Sequence, residues 1–214
     1  MPQRTDAPVQ PKQWQPPLKS NAVQIRRVTT AFDEAKVIAT QVLAFSTDPV
    51  ARWLYPDPLQ YLTYFPQFVR TFGNKALEHK TTYFADRYIG AAFWFPPGVE
   101  PDGDPLIDLL ENSVAKPEQE DLFQVLEEMS RCHPHQAHWY LAILGVEPTQ
   151  QGKGHGSALL QPILQECDRT RIPAYLESSK PDNLPFYKRY GFEQIGLIQV
   201  GSSPPIFPML RLPR

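Results

Sequence analysis

The chain has 214 residues, 42% hydrophobic and 21% charged, with 23 acidic against 21 basic side chains and a formal net charge of −2. That balance lacks the basic excess expected of a nucleic-acid binder, and no run of residues approaches the ~18 apolar positions of a membrane span. Proline is the unusual quantity: 24 residues, about twice the ordinary ~5%.

A chain of this length is expected to form one domain that buries roughly 70% of its unfolded surface without disulfide or metal staples. The two cysteines, Cys132 and Cys167, match no metal-ligand spacing. With no secretory apolar run near the start, a reducing, cytoplasmic setting is expected. Residues 1–20 are rich in proline and glutamine and read as an arm, flexible or strapped on the surface. Residues 21–214 are expected to form the single domain.

Ordered structure is predicted to begin with a strand over 22–28. Thr30 can cap a helix in which Phe32, Ala35, Ile38, Ala39, Val42 and Leu43 recur at helical spacing, stopped by Asp48-Pro49. An aromatic-rich helix spans Leu59 to Leu77, with Pro66 predicted to kink or divide it. Strands Thr81–Ala85 and Tyr88–Phe95 flank Asp86-Arg87 at hairpin spacing. Acidic helices follow at 105–115 and 117–131. Cys132, His133, His135 and His138 then crowd together without any zinc spacing, so no metal is expected.

Trp139–Val146 (WYLAILGV) is an uninterrupted apolar run that suits a strand buried on both faces. Gly154 to about Arg169 is helical, with Leu159, Leu160, Ile163, Leu164 and Cys167 on one face and Pro162 predicted to bend it. Pro173–Ser178 reads as a strand, Asn183–Tyr190 as a short helix, and Phe192–Val200 and Ile206–Leu212 as closing strands. The order predicts an α/β sheet containing one parallel pair.

Between the apolar strand and its helix lies Gln151-Gly152-Lys153-Gly154-His155-Gly156. Unpaired amides at a helix start attract anions, and glycines let a phosphate approach the main chain. Neither the Walker spacing nor the dinucleotide spacing is met.

The run Leu144-Gly145-Val146-x-Pro148-x-x-Gln151-x-x-Gly154-x-Gly156, followed by Asn183 and Phe186-Tyr187-Lys188-Arg189-Tyr190-Gly191-Phe192, resembles the GNAT superfamily of acetyl-CoA-dependent N-acetyltransferases. The resemblance implies a mixed, mostly antiparallel sheet of about 6–7 strands with helices on both faces, its central parallel pair splayed to bind CoA. It implies that the amides of Gln151, Gly152, Lys153, Gly154, His155 and Gly156 hold the CoA pyrophosphate. Main-chain groups of Leu144 and Val146 would line the pantetheine slot, and Asn183 would touch the cofactor.

Tyr187 matches the family tyrosine that protonates or hydrogen-bonds the departing sulfur. The base that deprotonates the amine is open among Glu177, His138 and water. The segment Tyr175–Ser179 through Tyr187, with Pro208-Met209, is similar to the puromycin N-acetyltransferase branch. The reaction implied is acetyl transfer to the primary amine of a small molecule by a monomer or homodimer, with no metal, nucleic acid or membrane. A protein amino terminus or lysine as acceptor, or a non-catalytic CoA sensor, are the alternatives. The aromatic segment 53–72 is either a wall of the acceptor pocket or ordinary core.

Overall fold

The computed structural model describes residues 23–214. The predicted arm, residues 1–20, lies outside the described residues. A short strand β1 (Ile25–Arg27) leads to helix α1 (Ala31–Ala44). Thr30 opens α1 with a capping box: its hydroxyl accepts the Asp33 amide at 3.1 Å, and the Asp33 carboxylate accepts the Thr30 amide at 3.1 Å. Tyr88 donates to the same carboxylate, and that bond first, with the backbone bonds, pulls the Asp33 pKa down to about 2.

α1 stops at Ala44, with Phe45 as its C-cap, before Asp48-Pro49 is reached; that pair instead begins a helix that the sequence reading missed, α2 (Pro49–Leu54). Asp48 Oδ1 accepts the amides of Val50 and Ala51 at 3.0 and 3.1 Å, and proline at the first helical position sacrifices an amide that had no intrahelical partner. Asp57 and Pro58 repeat this device at the start of α3 (Pro58–Phe72). Pro66 lies inside α3 without dividing it. Leu62, whose carbonyl loses its partner there, is 60% exposed, so water can replace the missing bond. The division falls instead at Gly73, before the short α4 (Asn74–Glu78).

Strands β2 (Thr82–Ala85) and β3 (Gly90–Phe95) pair with Ala85 opposite Gly90. The hairpin loop is therefore four residues long rather than the two expected, with Asp86 and Tyr88 at φ of 47° and 63°. Helices α5 (Gly103–Ser113) and α6 (Lys116–Cys132) follow, then β4 (Trp139–Val146), α7 (His155–Thr170), β5 (Ala174–Ser178) and α8 (Leu184–Arg189). The strand predicted over 192–200 shrinks to β6 (Glu193–Gln194) and one bridge from Ile198 to Ile206. It lies at the sheet edge, where Ile195 and Leu197 are 50% and 59% exposed and no layer rewards continued extension. The last strand is β7 (Phe207–Arg211).

The sheet runs β1-β2-β3-β4-β5-β7-β6, antiparallel throughout except for β4 with β5. Strand periodicity sends alternate residues to two cores. Phe93, Phe95, Tyr140 and Tyr175 pack under the layer of α1, α3 and α5, against Val37, Phe65 and Leu110. Trp94, Leu141 and Leu176 pack against Leu159, Leu160 and Cys167 of α7. Burial pushes the Cys167 thiol up to about 12, so it behaves as a small apolar group. No helix among the described residues is long and apolar enough to cross a membrane.

Two irregularities in β4 open the middle of the sheet. Phe93 pairs with Ile143 but Trp94 pairs with Leu141, which leaves Ala142 as an extra residue, a bulge. On the other edge, β4 meets β5 only through Trp139–Leu141. Residues 142–146 have no ladder partner on that side among the described residues, while β5 continues against β7 as far as Ser178.

Candidate active site

A cleft of about 720 Å³ occupies the wedge where β4 and β5 part. Leu141–Val146 form one wall and Leu176–Lys180 the other. The glycine loop closes one end, beside Asn183 and Tyr187. Phe65, Phe68, Leu106, Leu110 and Met129 line the apolar end. Tyr61, Phe65, Phe68 and Phe72 stack successively, with centroids 4.8, 5.7 and 5.4 Å apart. The aromatic segment is thus core on one side and cleft wall on the other.

The loop leaves β4 through a 3-10 turn at Pro148–Gln150, and the Gln151 side-chain Nε2 donates back to the Val146 carbonyl at 3.1 Å. Gly154, at φ +90°, occupies the cap position of α7, and no side chain caps that helix. Among the described residues, its own chain neighbours aside, no atom lies within 4 Å of where a Cβ would stand on Gly154. The amides of the first turn therefore face an open cradle at the positive end of a 16-residue helix. This geometry fits a pyrophosphate.

Two residues of the loop are placed differently from the rest. Lys153 folds back, its Nζ donating to the Thr149 carbonyl and to Gln150 Oε1, both at 3.0 Å, and it does not line the cleft. His155 lines the cleft and is buried, with Nδ1 3.6 Å from the Asp86 carboxylate.

Tyr187 is buried on α8, packed edge-on against Phe186 and Phe192 at 5.1 and 5.9 Å. Burial first, and then the charge of Asp48, lift its phenol well above the ordinary tyrosine range. It stays protonated, and its hydroxyl makes no hydrogen bond among the described residues.

Glu177 points into a ring of aromatic groups, its side chain 4% exposed. One carboxylate oxygen lies 3.0 Å from His133 Nε2, close enough for an ion pair but not aligned as a hydrogen bond. The His133 ring sits 4.7 Å from Tyr140 and 4.6 Å from Tyr175. Burial, reinforced by the Glu177 charge, raises both phenols far above their usual range. For His133 burial pulls the pKa down, but the contact with Glu177 and the charges of Glu177 and Glu100 outweigh it, and the net shift is upward.

The structure thus brings Glu177, Tyr187, Asn183, Leu144, Val146 and most of the glycine loop to one cleft. His138 is not among them. Its Nδ1 contacts the Gln136 carbonyl at 2.9 Å, and it lines a second cavity of about 230 Å³.

Two site residues escaped the sequence reading. Asp48, buried in the cleft wall, was read only as a helix stop; Asp followed by Pro at the head of a helix was the available signal. His133 was absorbed into the histidine cluster, and nothing local distinguishes it from His135.

Residues 122–211 match the family model described as the acetyltransferase (GNAT) domain. Over that span the chain is similar to the GNAT acetyltransferases. An uncharacterized N-acetyltransferase of Schizosaccharomyces pombe is 40% identical over 78 residues, covering 35% of this chain and 32% of that protein. The chain therefore matches about a third of that relative's length.

Among solved structures, a Corynebacterium glutamicum protein titled histone acetyltransferase HPA2 and related acetyltransferase superposes with a TM-score of 0.62 at 23% identity, covering 90% of this chain and 97% of the other. Arylalkylamine N-acetyltransferase 2 of Aedes aegypti gives 0.63 at 13% identity, covering 90% and 99%. At these identities the likeness speaks for the GNAT fold alone.

Proposed function

We propose that this chain is a GNAT enzyme that moves the acetyl group of acetyl-CoA directly to a primary amine carried on an apolar, small-molecule body. The observation that carries the reading is the cleft itself, which joins an uncapped glycine loop to a buried carboxylate across an aromatic and aliphatic wall. The amides of residues 151–156 would hold the pyrophosphate, with main-chain groups of Leu144 and Val146 along the slot and Asn183 beside it. When bound, acetyl-CoA supplies an activated acyl thioester.

The chain's own residues do the proton work. An amine attacks only as the free base, so its ammonium proton must go to a base within the cleft. Glu177 lines the cleft and is shielded from water, which supports it over His138, whose cavity lies apart. Tyr187, held protonated by burial, has a hydroxyl available for the sulfur as it leaves. A main-chain N–H freed where β4 departs from β5 would stabilise developing oxyanion charge.

The test is thiol release from acetyl-CoA against apolar amines, polar amines and amino-terminal peptides. Turnover confined to apolar amines is expected. Turnover confined to peptides would transfer the reading to a protein acceptor, and tight CoA binding without turnover would make the protein a sensor.

A further inference from the structure

Glu177 and Tyr140 line the main cleft, and directly behind them His133 lines the second cavity with Glu100, His135 and His138. Tyr140 borders both spaces. A carboxylate that is 4% exposed has poor access to water for discarding a proton, and a bound acceptor would occlude the cleft further. The group in contact with it on the far side is the His133 imidazole at 3.0 Å, itself 18% exposed. His133 is the C-cap of α6, a 17-residue helix whose carbonyl end favours a cation.

We propose that His133 is the exit for the proton that Glu177 takes from the acceptor, acting through Glu177 and touching no reacting atom. This rests on the acetyl-transfer reading above. The ammonium N–H bond breaks and an O–H bond forms on Glu177. That proton then passes to the lone pair of His133 Nε2, restoring the carboxylate. The imidazolium ring then turns toward the second cavity and releases that Nε2 proton to water, which leaves the Nδ1–H tautomer it started from. The net transfer is one proton from ammonium to solvent.

The surrounding groups suit this route. From β4, Tyr140 has its phenol proton locked on by burial, and His138 has Nδ1 engaged by the Gln136 carbonyl. From β5, Tyr175 is locked likewise. Glu100, in the loop after β3, adds the further negative charge that favours the imidazolium. Cys132, next in sequence, is held as a thiol by burial and by the nearby carboxylates. His133 Nδ1 has no partner among the described residues, and the 3.0 Å contact needs only a small ring rotation to align, as catalytic pairs often do once substrate is bound.

The experiment compares wild type, His133→Ala and His133→Gln in steady-state turnover across pH, with and without added imidazole. Both variants are expected to lose about 10²-fold in kcat, the low end for positioned acid–base groups, with KM for acetyl-CoA unchanged. Imidazole should restore His133→Ala several-fold and saturably, because the excised ring leaves room beside the second cavity, and should leave His133→Gln unaffected.

His133→Ala at the wild-type rate, or a loss that imidazole does not relieve, would overturn the relay while leaving acetyl transfer standing. If His133→Ala fails to fold, an unchanged pH profile in His133→Gln would overturn it. A wild-type protein that releases no thiol with any amine would take down the acetyl-transfer reading and the relay together.

Discussion

Asp48 and Ser179, 131 residues apart in the chain, meet at 2.5 Å across the wall of the cleft. The same carboxylate caps α2 with its other oxygen. One side chain therefore ties the first helical layer to the end of β5, beside the point where β5 and β4 have separated. Replacing Asp48 by alanine removes both functions and is expected to cost about 2 kcal/mol of stability, from the lost cap and the lost charge-assisted bond. Ser179→Ala leaves the cap and should cost about half as much, roughly 1 kcal/mol. Urea unfolding of the two variants checks this; equal losses would mean that the cap contributes nothing.

Two glycines at the cleft should fail in opposite ways. A Cβ on Gly145 would strike the Gln41 side chain and come 2.7 Å from the Ala44 Cβ, where α1 lies on β4. Gln41 is fixed there, buried and donating to the Ala91 carbonyl at 3.1 Å. Gly145→Ala should therefore destabilise by about 1–3 kcal/mol through overpacking. Gly154 has space but a left-handed backbone. Gly154→Glu should cost only about 1–2 kcal/mol of strain, keep the fold, and abolish CoA binding by filling the cradle with an acidic side chain. Calorimetric titration with CoA and a circular-dichroism melt separate the two outcomes, and unchanged CoA affinity would remove the glycine loop from the site.

Much of this was legible because it is local. The run WYLAILGV, the glycine spacing after it and the amphipathic face of α7 are an unbroken apolar stretch, a φ > 0 signal and a period of 3.6, each written in consecutive residues. The Thr30 cap is equally local. What escaped is relational. Asp48-Pro49 starts a helix rather than ending one, and the sequence shows only that something changes there. The edge position that dissolves residues 195–200 into loop depends on what lies beside them. The bulge at Ala142, the short β4–β5 ladder and the pairing of Glu177 with His133 arise from sheet assembly, so no window of sequence contains them.

Tyr187→Phe tests the acid. The substitution keeps the ring packed on Phe186 and Phe192 and removes a hydroxyl that has no hydrogen-bond partner among the described residues, so the fold should lose little. Turnover should fall by about 10²-fold with CoA affinity nearly unchanged. That split distinguishes proton donation from packing, because a packing defect would loosen α8 and weaken CoA binding as well. Normal turnover would exclude the hydroxyl from the mechanism.

The pH dependence follows from His133. Its folded pKa lies above the ordinary 6.5, so the protonated imidazole stabilises the fold fully below about 6.5, and this contribution is lost as pH rises through the folded value. The difference in Tm between wild type and His133→Gln should be largest near pH 6 and shrink towards pH 9. Activity should move the other way. A protonated His133 cannot accept from Glu177, so kcat should climb as the imidazole gives up its proton, and that limb should vanish in His133→Gln. In Glu177→Gln the imidazole loses its main charged partner while its burial remains, so NMR titration of the His133 ring should find its pKa lowered relative to wild type. An unmoved His133 titration in that variant would show that the two residues are neighbours without electrostatic coupling.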